Sequence, residues 1–291
     1  MSTSRLDRAP APLLVLTAIV SVQVGSGVAR QLFDELGAAG VTLLRVGLAA
    51  LLLLAAVRPR VRSWSLEVWR AAVVLGVAMA SMNLLFYQAL RTVPLGVAVT
   101  VEFVGPLLLA LVQTRRLSDL LWALLAGSGV VLLGADTTSA VPLSGLVLAL
   151  LAGFCWAAYI VATASVGRLL PGAGGLAVAL GVAALLALPF GASGAAQVVQ
   201  HPALLPAAAL VALLSSLLSY GLELSALRRV PTRVFGVLMS LEPATAAGTG
   251  LVLLGQRLGG RELLALVLVS LASVGVTLGQ RSDGAAVQPL E

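Results

Sequence analysis

The stretch Val99-Thr-Val-Glu-Phe-Val-Gly-Pro-Leu-Leu-Leu-Ala-Leu-Val112 places a carboxylate and a Gly-Pro pair inside an otherwise apolar run. A glutamate next to a proline returns in Met239-Ser-Leu-Glu-Pro243. A charged side chain near the centre of a bilayer costs at least ~2.5–3.5 kcal/mol, and a proline inside a helix removes a backbone hydrogen bond. If these runs cross a membrane, their glutamates and prolines must serve a purpose inside the protein.

The composition indicates that the chain is solvated by lipid. Hydrophobic residues make up 59% of the sequence and charged residues 10%, and the mean hydropathy is +1.06, whereas soluble domains carry about 25% charged residues. Apolar runs of about 20 residues, enough to cross the hydrocarbon layer, recur throughout. The sequence therefore predicts an all-α integral membrane protein with ten transmembrane helices. The predicted spans are 12–30, 38–57, 69–90, 95–114, 119–135, 143–164, 174–191, 204–227, 232–255 and 262–280.

The net charge of +6 comes from 18 arginines and no lysine, and their placement follows a membrane topology. With the N-terminus inside, 13 arginines fall on the inner side and four on the outer side. Such an excess is typical of the positive-inside rule. The basic charge therefore predicts orientation in a lipid bilayer and not a nucleic-acid partner. The four outer arginines are Arg30, Arg91, Arg257 and Arg261.

Several kinds of chemistry lack the residues they need. Cys155 and His201 are each the single residue of their type, which excludes a disulfide framework and a Cys/His metal site. No Gly-rich nucleotide-binding motif is present, and the loops are too short for a soluble catalytic domain. We therefore expect no metal, no cofactor and no enzymatic activity.

An internal repeat organises the chain. Ala89-Leu-Arg-Thr-Val-Pro94 returns as Ala226-Leu-Arg-Arg-Val-Pro231, and at the same offset of 137 residues Pro106 falls on Pro243. Chance similarity between apolar segments is the alternative, but the agreement of an arginine and two prolines at one offset favours a true repeat.

Two five-helix halves must enter the membrane in opposite directions. The sequence thus predicts a first repeat over 1–136, a second, inverted repeat over 137–281 and a tail over 282–291. Inverted repeats are the usual construction of secondary transporters, whose substrate site lies near the midplane between the halves.

Three acids lie inside predicted spans: Glu102, Glu223 and Glu242. Each must face the protein interior or a water-filled cavity. For Glu102 and Glu242 we favour a functional role over a structural hydrogen bond. For Glu223 an interfacial ion pair with the nearby Arg228 is an equal alternative.

The prolines suggest why two of these acids are special. Pro106, after Gly105, leaves the carbonyl of Glu102 without its helical donor, and Pro243 likewise frees the carbonyl of Met239. A carboxylate beside a free carbonyl would suit a primary ammonium group, a proton, or both in turn. A simple packing kink is the alternative.

Other polar and aromatic side chains are candidates for the same cavity. Arg45 could hold a substrate carboxylate through paired hydrogen bonds, or it could extend to the membrane surface or neutralise a glutamate, and the last two readings are slightly favoured. At the repeat offset Asn83 falls on Tyr220. The remaining candidates are Gln23, Tyr87, Trp156 and Tyr159.

Several motifs together resemble a known family. They are Met82-Asn-Leu-Leu-Phe-Tyr87, Glu102-Phe-Val-Gly-Pro106, Tyr220-Gly-Leu-Glu-Leu224 and Met239-Ser-Leu-Glu-Pro243. The sequence is similar over nearly its whole length to the threonine and homoserine exporters, which are EamA-type members of the drug/metabolite transporter superfamily.

The resemblance implies two inverted five-helix repeats with both termini in the cytoplasm of a bacterial cell. It further implies a proton-driven exporter of L-threonine, L-homoserine and related amino acids in the inner membrane. The acids shared with the family pattern are Glu102, Glu223 and Glu242. The direction of transport rests on this resemblance alone, and a monomer or a homodimer is expected.

The residues favour proton antiport by alternating access. A buried carboxyl group, that of Glu102 or Glu242, would hold a proton until the ammonium group of the substrate displaces it. One rival is the export of other metabolites or cationic drugs, which the aromatic content of 4% makes less favourable. A non-transporting receptor or scaffold is a second rival, against which the inverted repeat counts.

Overall fold

The computed structural model describes residues 10–114, 117–134, 141–227 and 238–279. These residues form helices and short connections, without a β-strand in the described ranges. The fold is therefore all-α, as predicted. The helices are α1 (Ala11–Gln31), α2 (Phe33–Val57), α3 (Leu66–Ala89), α4 (Leu95–Glu102), α5 (Val104–Thr114), α6 (Leu117–Gly134), α7 (Leu143–Leu169), α8 (Gly174–Gln200), α9 (Leu205–Ala212), α10 (Ser219–Leu227), α11 (Glu242–Leu254) and α12 (Gly260–Gly279).

Seven helical stretches in the described ranges are long and apolar enough to cross a membrane. They include α1, α2, α3, α7 and α8, together with two stretches that each join consecutive helices: Leu95–Val112 and Pro202–Glu223. Large apolar side chains such as Leu51 and Leu185 are exposed on their outer surfaces, as expected of helices that face lipid. The prediction of a multi-pass membrane protein is thus confirmed.

The described ranges contain fewer long apolar helices than the ten predicted spans. The apolar stretch of α6 is short, at Leu121–Leu133. Helix α11 has 13 residues, because it begins after the turn at Ser240 and Leu241, while residues 232–237 of the predicted span lie outside the described ranges. The repeat segment after Leu227 and most of the predicted inner arginines also lie outside those ranges.

Local sequence explains several helix ends and bends. The hydroxyl of Ser65 caps α3 by accepting a hydrogen bond from the N–H of Val68. In α2 the backbone of Gly37 has a φ of 66° and a ψ of 156°, so the regular helix resumes at residue 38. That residue is the predicted start of the second span.

One segment departs from α-helical geometry. Leu213–Leu218, between α9 and α10, forms a π-helix of six residues. Its wider turn accommodates one more residue per hydrogen-bonded ring than an α-helix does, and such turns occur frequently at functional sites. The eighth predicted span is therefore composed of three different helical segments.

The helices pack against one another in pairs. Helix α2 packs along α8, α3 along α7 and α8, and α6 along α12. In the interior, α1 contacts α10, α11 and the π-helical segment, and α4 packs against α7 and α11. These contacts bring α1, α2, α3, α4, α7, α10 and α11 around one central region.

Candidate functional site

A cavity of about 60 Å³ lies in this central region. Nine of the ten side chains predicted to bind substrate or protons line it, and they come from both halves of the sequence. These nine are Gln23, Arg45, Asn83, Glu102, Trp156, Tyr159, Tyr220, Glu223 and Glu242. The tenth, Tyr87, is fully buried behind Arg45.

The guanidinium group of Arg45 is held in place by three hydrogen bonds. It donates from Nε to Ser216 Oγ at 3.0 Å, from Nη1 to the hydroxyl of Tyr87 at 3.1 Å, and from Nη2 to the carbonyl of Ser215 at 2.8 Å. Its carbon also lies 5.3 Å from the centre of the Tyr87 ring. Arg45 is 4% exposed, so it does not extend to the membrane surface.

The π-helical segment provides two of these three acceptors. Ser215 and Ser216 lie at its centre and are both buried. Helix α1 approaches closely at this point, because Gly25 leaves no room for a side chain beside Ser215, and the hydroxyl of Ser21 donates to the carbonyl of Leu214 at 2.8 Å. The irregular turn is therefore fixed from two sides, by α1 and by Arg45.

Glu242 is paired with Gln23 across the cavity. Gln23 donates from Nε2 to Glu242 Oε1 at 3.2 Å, and both side chains are buried. The other oxygens of the pair, Gln23 Oε1 and Glu242 Oε2, have no hydrogen-bond partner among the described residues. Two buried acceptors of the pair therefore remain unsatisfied.

The first Glu-Pro segment, from Glu102 to Pro106, interrupts the helix only slightly. Helix α4 ends at Glu102 and α5 begins at Val104, while Phe103 keeps helical dihedral angles and donates to the carbonyl of Val99. The carbonyl oxygen of Glu102 lies against the backbone of Gly153 in α7. Pro106 thus leaves this carbonyl without its helical donor, and its neighbour is a packed helix.

The second Glu-Pro segment, Met239 to Pro243, has a different local structure. Ser240 and Leu241 form a turn, and α11 begins at Glu242. Pro243 is therefore the second residue of a helix, where the backbone N–H has no helical acceptor and proline is well tolerated. Glu242, predicted to lie well within a span, is the first residue of a helix.

The remaining candidates build the wall of the cavity. Asn83 donates to the carbonyl of Met79 at 2.7 Å, and the rings of Tyr159 and Tyr220 lie 5.9 Å apart. Trp156 packs edge-on against Phe103, with ring centroids 5.5 Å apart. Glu223 lines the cavity, whereas its alternative partner Arg228 lies outside the described residues.

The lining residues contain three glutamates and one arginine. If all three carboxyl groups were ionised, the cavity would carry two uncompensated negative charges away from bulk water. Buried charges are costly unless they are paired. The arrangement can therefore lower its free energy by binding protons or a cationic solute.

The sequence reasoning missed several of the contributing residues. The carbonyl of Ser215 holds Arg45, while Val22, Ser26, Met82, Phe86 and Val99 complete the lining. The Ser215-Ser216 pair in a leucine-rich run was an available signal for a polar contact. The apolar lining residues carry no signal that separates them from lipid-facing neighbours.

Comparison with known proteins identifies the family. Residues 143–278 match the EamA-like transporter family. The threonine/homoserine exporter RhtA of Escherichia coli K12 is 43% identical over 276 residues, which is 93% of this chain and 92% of the relative. RhtA of Salmonella typhimurium LT2 is 43% identical over 274 residues, with the same coverage.

A solved crystal structure of a protein with 20% identity shares the fold. It aligns with a TM-score of 0.55 over 94% of this chain and 98% of its own. The family is one of transporters and not of enzymes, which confirms the prediction drawn from the motifs. The chain therefore belongs to the EamA-like transporter family.

Proposed function

We propose that this chain exports small amino acids, L-threonine and L-homoserine among them, in exchange for protons. The observation that carries the proposal is the central cavity, in which three carboxyl groups and one arginine meet inside a membrane protein. The substrate and the direction of transport follow the names of the relatives, which are exporters of threonine and homoserine.

The zwitterionic substrate matches the charges of the cavity. Arg45 has two N–H groups left after its three hydrogen bonds, enough to hold a substrate carboxylate. The burial of Arg45 removes the membrane-surface alternative, while its charge still offsets one of the three carboxylates. The carboxyl groups of Glu102, Glu223 and Glu242 are then available for the ammonium group and for protons.

Coupling follows from competition for the same carboxyl groups. A carboxyl group removed from water favours its neutral, protonated form. Arrival of an ammonium group favours the ionised form and releases the proton, and return of a proton from outside displaces the substrate. We assign the proton to Glu102 and keep Glu223 as a second candidate.

Alternating access requires two halves that move against each other. We propose the ten-span arrangement with inverted repeats over 1–136 and 137–281. The packing supports it: exchanging the halves converts the contact of α3 with α7 into that of α10 with α1, and maps the pairs α2–α8, α4–α11 and α6–α12 onto themselves. Both termini, including the tail at 282–291, would face the cytoplasm beneath a bacterial inner membrane.

Transport in reconstituted liposomes tests this proposal. Wild-type protein is expected to move labelled L-threonine and L-homoserine faster when a pH gradient is imposed. Glu102→Gln should remove the acceleration while the protein still inserts, and Glu35→Gln, which neutralises an exposed carboxylate, should retain it. Normal gradient-driven transport by Glu102→Gln would show that the proton is carried elsewhere.

A second candidate substrate class is the lipophilic cation. Although the chain is poor in aromatic residues, Phe86, Trp156, Tyr159 and Tyr220 all line the cavity, and aromatic faces bind cations. Competition by a quaternary ammonium compound against threonine transport distinguishes the two classes. A compound that is itself transported in exchange for protons would favour the second.

A further inference from the structure

Two unsatisfied acceptors define a distinct part of the cavity. Gln23 comes from α1 and Glu242 from the first turn of α11, and their exposed fractions are 3% and 6%. The single hydrogen bond between them uses Gln23 Nε2 and Glu242 Oε1. Gln23 Oε1 and Glu242 Oε2 remain without a partner among the described residues.

Leaving such atoms unsatisfied is unfavourable, at about 1–3 kcal/mol for each buried group and more for a charged one. Both side chains line the cavity, and their two free atoms are covered in this conformation, so a solute reaches them once the side chains turn toward it. The missing group must be a donor, because both free atoms are acceptors when the carboxyl group is ionised. A donor with at least two N–H groups would satisfy both at once.

A primary ammonium group has these properties. It carries three N–H donors and a positive charge that compensates the carboxylate of Glu242, and charge-assisted hydrogen bonds are the stronger kind. The position of Glu242 in the first helical turn also favours its negative charge, since the backbone N–H groups of a helix point toward its beginning.

Arg45 presents the opposite chemistry within the same cavity. Its guanidinium group only donates hydrogen bonds, and Tyr87, Ser215 and Ser216 hold it in place. The cavity therefore has an acceptor-rich part at Gln23 and Glu242 and a donor-rich part at Arg45. An α-amino acid has one group suited to each.

We infer that Gln23 and Glu242 form the subsite for the primary ammonium group of the solute. This inference rests on the proposed function for the identity of the amino acid, but not for the presence of the subsite. It separates Glu242, which contacts the substrate amine, from Glu102, to which the proton is assigned.

Binding to the purified full-length protein in nanodiscs tests the inference with three ligands. They are L-threonine, the amino alcohol derived from it, which lacks the carboxylate, and the hydroxy acid of the same skeleton, which lacks the amine. Gln23→Leu and Glu242→Gln should each weaken binding of the two amine-bearing ligands about tenfold or more. Binding of the hydroxy acid should not weaken in either variant, because it has no amine to lose, and Glu242→Gln also removes a negative charge that repels its carboxylate.

Matched controls change the same residue types away from the cavity. Gln88→Leu and Glu35→Gln alter exposed side chains and should leave all three affinities unchanged. An equal loss for all three ligands would mean that the pair is only structural and would overturn the inference. Unchanged binding of the amine-bearing ligands in both variants, or no binding of the amino alcohol by wild type, would also overturn it.

The same measurements separate the subsite from the proposed function. If wild type binds the amino alcohol and both variants lose it, the ammonium subsite stands even if liposomes show no export of threonine. If export occurs and the two variants bind the amino alcohol normally, the proposed function stands and the subsite is wrong.

Discussion

The two Glu-Pro segments share a proline at the repeat offset of 137 residues, but their glutamates do not correspond, because Glu102 falls on Met239 and Glu242 falls on Gly105. Glu102 ends α4 in a chain that continues into α5 after one residue, and its carbonyl is packed against Gly153. Glu242 starts α11 after a turn and is hydrogen-bonded to Gln23. A repeated sequence pattern has produced two non-equivalent carboxyl groups in one cavity.

The difference suggests that the two carboxyl groups have separate roles. Glu242 gains from the N–H groups of a helix start and from an amide neighbour, both of which favour negative charge, whereas its burial and the two other carboxyl groups of the cavity oppose that charge. Glu102 has a nearly continuous helix on both sides and gains no such help from a helix start. Competition between a proton and an ammonium group can then take place within one cavity, with the ammonium group at Glu242 and the proton at Glu102.

The largest expected effect comes from Gly153→Ala, which changes the packing of only the first Glu-Pro segment. A methyl group at residue 153 would collide with the carbonyl of Glu102, while Gly105 already lies against the Gly153 carbonyl. Since backbone atoms cannot move aside alone, α4 and α7 must separate, at about 1–3 kcal/mol. We expect a lower thermal unfolding temperature in detergent and a loss of transport.

Gly167→Ala is the matched control for this change, because it lies on the same helix. A methyl group there meets no atom within 4 Å, and alanine is a better helix former than glycine by up to about 1 kcal/mol. Its unfolding temperature should stay the same or rise. Similar destabilisation by both substitutions would show that the contact with Glu102 is unimportant.

A smaller effect should distinguish the two prolines. Pro106→Ala supplies an N–H that can donate to the carbonyl of Glu102, which should stabilise the α4–α5 junction by about 1–3 kcal/mol while slowing transport. Pro243→Ala should change stability by less than about 0.5 kcal/mol, because Pro243 is in the first turn of α11. Thermal unfolding and counterflow measure both variants, and equal responses would contradict the distinction.

The smallest effect concerns a contact that joins the two segments at one end. The side-chain oxygen of Gln256, after α11, accepts a hydrogen bond from the N–H of Leu95 at the start of α4, at 2.9 Å. Gln256→Leu should cost about 1 kcal/mol and speed hydrogen exchange at the start of α4. Gln88→Leu, at an exposed position, is the control, and unchanged exchange in Gln256→Leu would show that the contact does not hold the two segments together.

Much of the architecture can be predicted from the sequence, because lipid supplies no hydrogen-bond partners for the backbone. Apolar runs must be helices there, since every backbone group needs a partner. Polar side chains inside these runs must avoid lipid, so Gln23, Arg45, Glu102 and Glu242 could be expected to meet in one interior region. Their meeting in one cavity is what the structure adds, while their roles remain predictions.

Other features could not be predicted, because they depend on contacts between distant segments. Gly153 matters through the carbonyl of Glu102, a residue on another helix. Tyr87 is among the side chains predicted for the cavity, but it lies behind Arg45, to which its hydroxyl is hydrogen-bonded. Nothing in the local hydropathy around Ser215 separates a π-helix from an α-helix.

The geometry of the π-helical segment depends more on its number of residues than on which apolar side chains it carries. Deletion of one residue from Leu213–Leu218 would remove the wider turn and restore a regular helix. Ser215 and Ser216 would then no longer both be placed to accept hydrogen bonds from Arg45. Insertions and deletions should therefore be tolerated far less here than conservative substitutions.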